Sequence, residues 1–308
     1  PIMGAAAFLM AEYMNVTYGQ VTLWAILPAV LYFGGIFISV HLEAKKLGLR
    51  GIPRSELPRF KYLMRNVYLL LPLVFLIWVV TANIRSLQYA ASIAILISIA
   101  VSLVGTIRDA AAEAEETKTG SAAGIAVKKT GLMILEALEA GGKGSITVAV
   151  ACSMAGMIAG CITVTGLASK LISGVVALSS KIPNPTLSLL LALFLTMLCC
   201  IVLGMGVPTT ANYCIMASTC APILITLGIP KIAAHFFVFY FGIVADITPP
   251  VALAAYAGSA IAKSDPMKTG INATKLAIAA FIVPYMFAMN PSMLLMDQGV
   301  LAAVQVII

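Results

Sequence analysis

The tract Gly204-Met205-Gly206-Val207-Pro208-Thr209-Thr210-Ala211-Asn212 interrupts a long apolar run, with Leu187 to Leu203 before it and Tyr213 to Leu227 after it. A helix in lipid must satisfy every backbone group internally. Two glycines and a proline inside such a run break the ladder and free several N–H and C=O groups. Thr209, Thr210 and Asn212 then bring hydroxyls and an amide to the same depth. Unwound polar backbone inside a membrane is tolerated where it lines a cavity, and it recurs where ions and solutes bind. A second break, Asp246-Ile247-Thr248-Pro249-Pro250, follows further along. Together the two breaks predict an ion and solute pathway. The competing reading of the first is a proline kink that only holds spans apart. A kink, however, needs one proline rather than two glycines, a proline and three polar side chains.

The apolar setting is set by composition. The chain is 61% hydrophobic and 10% charged, with a mean hydropathy of +1.04. A soluble domain carries roughly a quarter charged residues. The fold class is therefore an all-α polytopic membrane protein, and the 308 residues allow about eight or nine membrane segments. The net charge of +7 does not imply nucleic acid, because the basic residues gather in loops beside apolar runs. Cys152, Cys161, Cys199, Cys200, Cys214 and Cys220 all lie in apolar stretches and read as small buried residues. No phosphate-cradling Gly-x-x-x-x-Gly-Lys-Ser/Thr tract occurs, and no hydrolase or metal-enzyme constellation is present, so the expectation is a protein that is not an enzyme and holds no cofactor. Both ends are apolar without a polar flank, and the chain reads as a piece of a longer protein, cut at both ends.

Along the chain, residues 1–42 contain a short helix start and a span over Val21–Val40, with Pro28 as a kink. The connector 43–66 follows. It holds Lys45, Lys46, Arg50, Arg54, Arg59, Lys61 and Arg65 against Glu43 and Glu56, a net of +5, which places it in the cytoplasm. Residues 67–144 hold spans at Val67–Ala82 and Ala90–Ile107, then a polar stretch. There Leu132, Ile134, Leu135 and Leu138 beside Glu136 and Glu139 predict an amphipathic interfacial helix. Residues 145–263 carry both breaks. Their first part, Ile146–Leu178, is either one span with a loop or a hairpin with its tip at Thr163-Val164-Thr165-Gly166. Lys170 beside that tip either attracts an anion or snorkels to the surface. Gly156 and Gly160 form a small-xxx-small pair suited to helix packing. Residues 264–308 contain the span Leu276–Met289 with Pro284.

The two ends resemble each other. Pro1-Ile-Met-Gly-Ala-Ala-Ala-Phe8 aligns with Pro250-Val-Ala-Leu-Ala-Ala-Tyr-Ala257. Trp24-Ala-Ile-Leu-Pro28-Ala-Val-Leu-Tyr-Phe33 aligns with Ala280-Phe-Ile-Val-Pro284-Tyr-Met-Phe-Ala-Met289. Duplications of this kind build many transporters, commonly with inverted topology. This predicts an inverted-repeat secondary transporter with broken helices and re-entrant hairpins.

At the first break, a half-helix ending near Leu203 presents carbonyls and a partial negative charge. A half-helix beginning near Thr209 presents N–H groups and a partial positive charge. Carbonyls and threonine hydroxyls suit Na⁺, and N–H groups suit a carboxylate. The predicted cation site is Gly204, Gly206, Thr209, Thr210, Asp246 and Thr248. The predicted solute site is Thr163, Thr165, Pro208, Asn212, Pro249 and Pro250. Asp246, a carboxylate in an apolar run, binds a cation, carries a proton or neutralises a lysine such as Lys170.

The string Gly204–Asn212, with His235-Phe-Phe-Val-Phe-Tyr-Phe-Gly242 and Asp246-Ile-Thr-Pro-Pro-Val-Ala-Leu-Ala-Ala-Tyr-Ala257, resembles the large membrane subunit of tripartite ATP-independent periplasmic (TRAP) transporters. The nearest likeness is to the fused permeases that work with TAXI-type binding proteins. Pro1-Ile-Met-Gly-Ala-Ala-Ala-Phe-Leu-Met-Ala-Glu12 is similar to the same subunit at the matching place in its first repeat. The resemblance covers essentially the whole chain. It implies a multi-pass protein of the bacterial inner membrane that takes up organic acids by coupling to a Na⁺ gradient. It implies three associates: a periplasmic substrate-binding protein, a small four-helix membrane subunit or fused domain, and an organic anion as solute. It also implies that the upstream half of the first repeat lies outside this chain. The alternative function is a non-transporting scaffold or channel-like membrane subunit.

Overall fold

The computed structural model describes residues 6–49, 67–82, 87–117 and 122–295, with Gly51, Pro53, Leu57 and Met64 as isolated positions. Its described residues form helices joined by short turns and irregular segments, without strands. Helices entered from polar loops start on capping side chains. Thr17 begins α2 (Tyr18–Lys46) with a reciprocal capping box to Gln20. Asn184 accepts from Thr186 and Leu187 at the start of α7 (Pro185–Gly204), and Asp265 accepts from Lys268 at the start of α12 (Pro266–Leu276). In the last two a proline follows the cap, where its missing N–H costs nothing. Lys45 and Lys46 close α2, opposite the negative end of its dipole.

The chain divides into two units. The first comprises residues 1–50 and 149–308, and the second residues 51–148. In the second, a 3-10 turn (Val67–Leu70) leads into α3 (Leu71–Thr81), which packs on α4 (Leu87–Thr117). The next helix, α5, runs unbroken from Ala122 to Val164, so that its residues to Val148 belong to the second unit and the rest to the first. The interfacial helix expected around Leu132–Glu139 is therefore not a separate element. It lies within α5, where good helix formers carry the helix through Gly141 and Gly142, each of which costs about 1 kcal/mol relative to alanine.

The first unit is built around α10 (Lys231–Val244). Ten of its 14 residues are buried, on every side of the helix, as expected for a helix apolar all round. It packs on α7, on α8 (Thr209–Thr219) and on α13 (Ile278–Met289). Along the α10–α13 seam, Phe236, Tyr240, Phe237 and Phe241 meet Phe287, Tyr285 and Phe281 in edge-on or tilted ring pairs 5.5–6.3 Å apart. Around this core lie α1 (Ala6–Met14), α2, α6 (Leu167–Ser179), α9 (Ala221–Thr226), α11 (Leu253–Ala262) and α12.

Two helices, α2 and α7, are each long and apolar enough to cross a bilayer, and α12 with α13 makes a third as a pair bent by 41°. The other apolar runs are shorter helices among the described residues. The run expected over Tyr213–Leu227 is divided again at Cys220, where Pro222 enters α9. Large apolar side chains face outward in both units, Phe37 at 74% exposed on α2 and Trp78 at 60% on α3. That pattern suits lipid rather than water. The fold is that of an all-α polytopic membrane protein.

The internal repeat has a local structural counterpart. Helix α1 ends at Asn15 in the left-handed region (φ 56°), and Thr17 caps α2 two residues later. Helix α11 ends at Lys263 in the same region (φ 51°), and Asp265 caps α12 two residues later. Pro28 and Pro284 both lie buried inside helices, α2 and α13, that pack on each other. The first five residues of the earlier copy, most of the basic connector and residues 296–308 lie outside the described residues.

Candidate functional site

Both breaks occur where the sequence places them. Helix α7 ends at Gly204, the chain extends through Met205, turns at Gly206 (φ 74°) and re-enters a helix at Thr209 after Pro208. Gly206 is needed there because a Cβ disfavours the left-handed region by roughly 1–2 kcal/mol. No side chain caps α8. Asn212 N–H is the first to find an intrahelical carbonyl, that of Pro208 at 2.8 Å. The N–H groups of Thr209, Thr210 and Ala211 thus form an open positive end.

The threonine hydroxyls at this end differ from those elsewhere. Thr196, Thr219 and Thr226 each donate to the carbonyl four residues earlier. The hydroxyls of Thr209 and Thr210 make no hydrogen bond among the described residues, and the two residues are respectively exposed and half-buried. Gly204 O, at the closing end of α7, receives only two long contacts, from Val207 N at 3.4 Å and Asn212 Nδ2 at 3.5 Å. Free hydroxyl oxygens and a weakly engaged carbonyl therefore sit beside free N–H groups.

The second break begins at the end of α10. A 3-10 turn over Ala245–Ile247 carries Asp246, and an irregular segment through Thr248, Pro249 and Pro250 leads to α11, whose start also lacks a side-chain cap. The Pro249–Pro250 peptide is cis. Thr248 Oγ1 donates to Val244 O at 2.7 Å, leaving its lone pairs as acceptors. Asp246 is half-buried and forms no ion pair among the described residues, with Lys170 or any other base.

Packing brings the two breaks together. A Cβ built on Gly204 would lie 3.2 Å from Ala245 Cβ, and one on Gly206 would lie 3.8 Å from Val251. Asn212, 2% exposed, donates from Nδ2 to Gly242 O of α10 at 2.7 Å. Gly204, Gly206, Pro208, Thr209, Thr210 and Asn212 thus share one region with the segment that carries Asp246, Thr248, Pro249 and Pro250.

The Thr163–Gly166 turn is a separate feature. The chain does turn there, with Gly166 at φ 66° between α5 and α6, and α6 packs on α7 and α9. Thr165 is exposed and donates to Cys161 O at 2.7 Å, and the side chain of Thr163 lies outside the described residues. Lys170 is exposed on α6. No hydrogen bond among the described residues joins Thr165 or Lys170 to either break.

Matching the chain against protein families gives one finding. Residues 1–300 fit the model of the tripartite ATP-independent periplasmic transporter, DctM component. The chain belongs to this family. It is a TRAP transporter membrane permease, a transporter component rather than a member of an enzyme family. A tripartite TRAP system in general adds a periplasmic binding protein and a small membrane subunit. Comparison with curated proteins and with solved structures gives no match.

Within this permease, several residues that support the second break are absent from the sequence reading. Thr274 Oγ1 of α12 donates to Ile247 O at 2.9 Å, and Tyr256 Oη donates to Pro250 O at 2.6 Å. Gly270 lets α12 approach, since a Cβ there would come within 3.2 Å of Pro249 and 3.3 Å of Ala252. Gly242 admits the Asn212 amide. Only the glycines left a signal, as isolated small residues inside helical segments.

Proposed function

We propose that this permease carries an organic acid anion into the cell by Na⁺ symport across the bacterial inner membrane. In this reading it receives its solute from a periplasmic binding protein of the TAXI type and is supported by a small four-helix membrane part, fused or separate. The observation that carries the proposal is the meeting of two helix breaks. There the open N–H end of α8, the unpartnered hydroxyls of Thr209 and Thr210, Gly204 O and the unpaired Asp246 carboxylate lie in one region. N–H groups at a helix start favour a carboxylate, and hydroxyl, carbonyl and carboxylate oxygens favour a hard cation. In this reading sodium and solute bind next to each other, so that each raises the affinity for the other by reciprocal coupling. Gly204, Gly206, Thr209, Thr210, Asp246 and Thr248 hold the cation. Pro208, Pro249 and Pro250 border the solute.

The test is uptake of radiolabelled carboxylates by proteoliposomes containing the permease with its small subunit and binding protein. Uptake should require an inward Na⁺ gradient. Thr209→Ala and Thr210→Ala should each raise the Na⁺ concentration for half-maximal uptake several-fold, the loss of one ligand oxygen being worth about 1 kcal/mol. Uptake indifferent to Na⁺, or unchanged Na⁺ dependence in both variants, would remove these residues from a coupling site.

A further inference from the structure

Asn212 stands in the first turn of α8, beside the open N–H groups, yet it faces the interior. It is 2% exposed, and its amide is enclosed by backbone. Nδ2 lies 2.7 Å from Gly242 O in α10 and 3.5 Å from Gly204 O at the end of α7. The amide fills the room left by two absent side chains. A Cβ on Gly204 would lie 2.9 Å from Nδ2 and 3.2 Å from Oδ1, and a Cβ on Gly242 would lie 2.9 Å from Oδ1. The two neighbouring acceptors are both carbonyls, so the NH₂ group must point at them. Oδ1 is left buried without a hydrogen-bond partner.

We infer that Asn212 is the pin that joins the two breaks, a positioning residue that touches neither ion nor solute. Three helices meet on its amide: α7 as it ends, α8 as it begins and α10. Four residues beyond Gly242, α10 has become the turn that bears Asp246. Fixing Gly204 against Gly242 therefore fixes the hydroxyls of Thr209 and Thr210 relative to Asp246. The sequence reading set Asn212 among the solute ligands. Its burial and its hydrogen bond to α10 assign it instead to the joint behind them. The inference rests on the reading of the breaks as the transport site and names what holds that site in shape.

Hydrogen exchange of the purified permease in nanodiscs tests this without a known solute. Asn212→Asp keeps the shape and removes the donor, Asn212→Ser removes the amide, and Gly242→Ala drives a methyl into it. Each should speed exchange about tenfold, as expected for loss of one buried hydrogen bond, over residues 204–212 and 245–256 together. Exchange in α3 and α4 should not change. Because serine leaves space for the methyl, Asn212→Ser with Gly242→Ala should be no worse than Asn212→Ser alone. Titration with NaCl alone reads the site: the Na⁺ concentration that half-protects both segments should rise about tenfold in each variant, as both halves lose their setting. Faster exchange confined to one segment, or additive effects in the double variant, would overturn the pin. A variant that does not fold leaves the others to decide, since each attacks the same contact from a different side. If Na⁺ fails to protect the unaltered protein, the ion coupling proposed above fails, and the pin is judged on joint loss of protection alone.

Discussion

At the scale of single residues, the first break depends on Gly206. Its φ of 74° lies where a side chain is strained, and no neighbour competes for the space except Val251 at 3.8 Å. Gly206→Ala should therefore cost about 1–2 kcal/mol through backbone strain alone, read as a lower thermal midpoint in detergent with the protein still inserted. Gly206, Gly204 and Pro208 were legible in the sequence because each is hard to reconcile with an uninterrupted helix in lipid. Gly242 was not. A lone glycine in an apolar helix has several causes, and this one is set by an asparagine 30 residues away. Thr274 was illegible for a related reason, since nothing local to residue 274 shows that its hydroxyl reaches Ile247 O. The site's outline lies in backbone-breaking residues, whereas its supports lie in pairings that only the fold creates.

At the scale of elements, α5 shows how propensity and punctuation trade. Gly141 and Gly142 lie just beyond the stretch expected to form an amphipathic helix, and the helix passes through them. Beyond the helix's own backbone, neither glycine would bring a Cβ within 4 Å of any group among the described residues, so the backbone there is open. Gly141→Ala and Gly142→Ala should each stabilise the protein by up to about 1 kcal/mol by reducing the freedom of the unfolded chain, with thermal unfolding in detergent as the measurement and a raised midpoint expected. For Gly156 and Gly160, read as a packing pair, a Cβ would likewise meet nothing within 4 Å among the described residues. The left-handed residue, the single spacer and the capping side chain recur at Asn15–Thr17 and Lys263–Asp265, because turn chemistry is local and so is written locally.

At the scale of the whole molecule, composition fixed the environment, and the distribution of lysine and arginine predicts the orientation. With the 43–66 connector cytoplasmic, a single cysteine at Gly51, in a background with the native cysteines replaced, should resist an impermeant thiol reagent added outside. Ready labelling in intact spheroplasts would reverse the topology. The same basic residues give the chain its +7 charge, but the 204–212 segment contains none of them. In the proposed function an anion at the start of α8 would be attracted by peptide N–H groups, which neither gain nor lose protons between about pH 5 and about pH 9, unlike histidine or the α-amino group. A binding end made this way would keep its strength as the surrounding pH falls or rises. It spares the permease the need to bury a lysine and control its protonation, and it leaves the solute's own ionisation as the variable to which an anion held there responds.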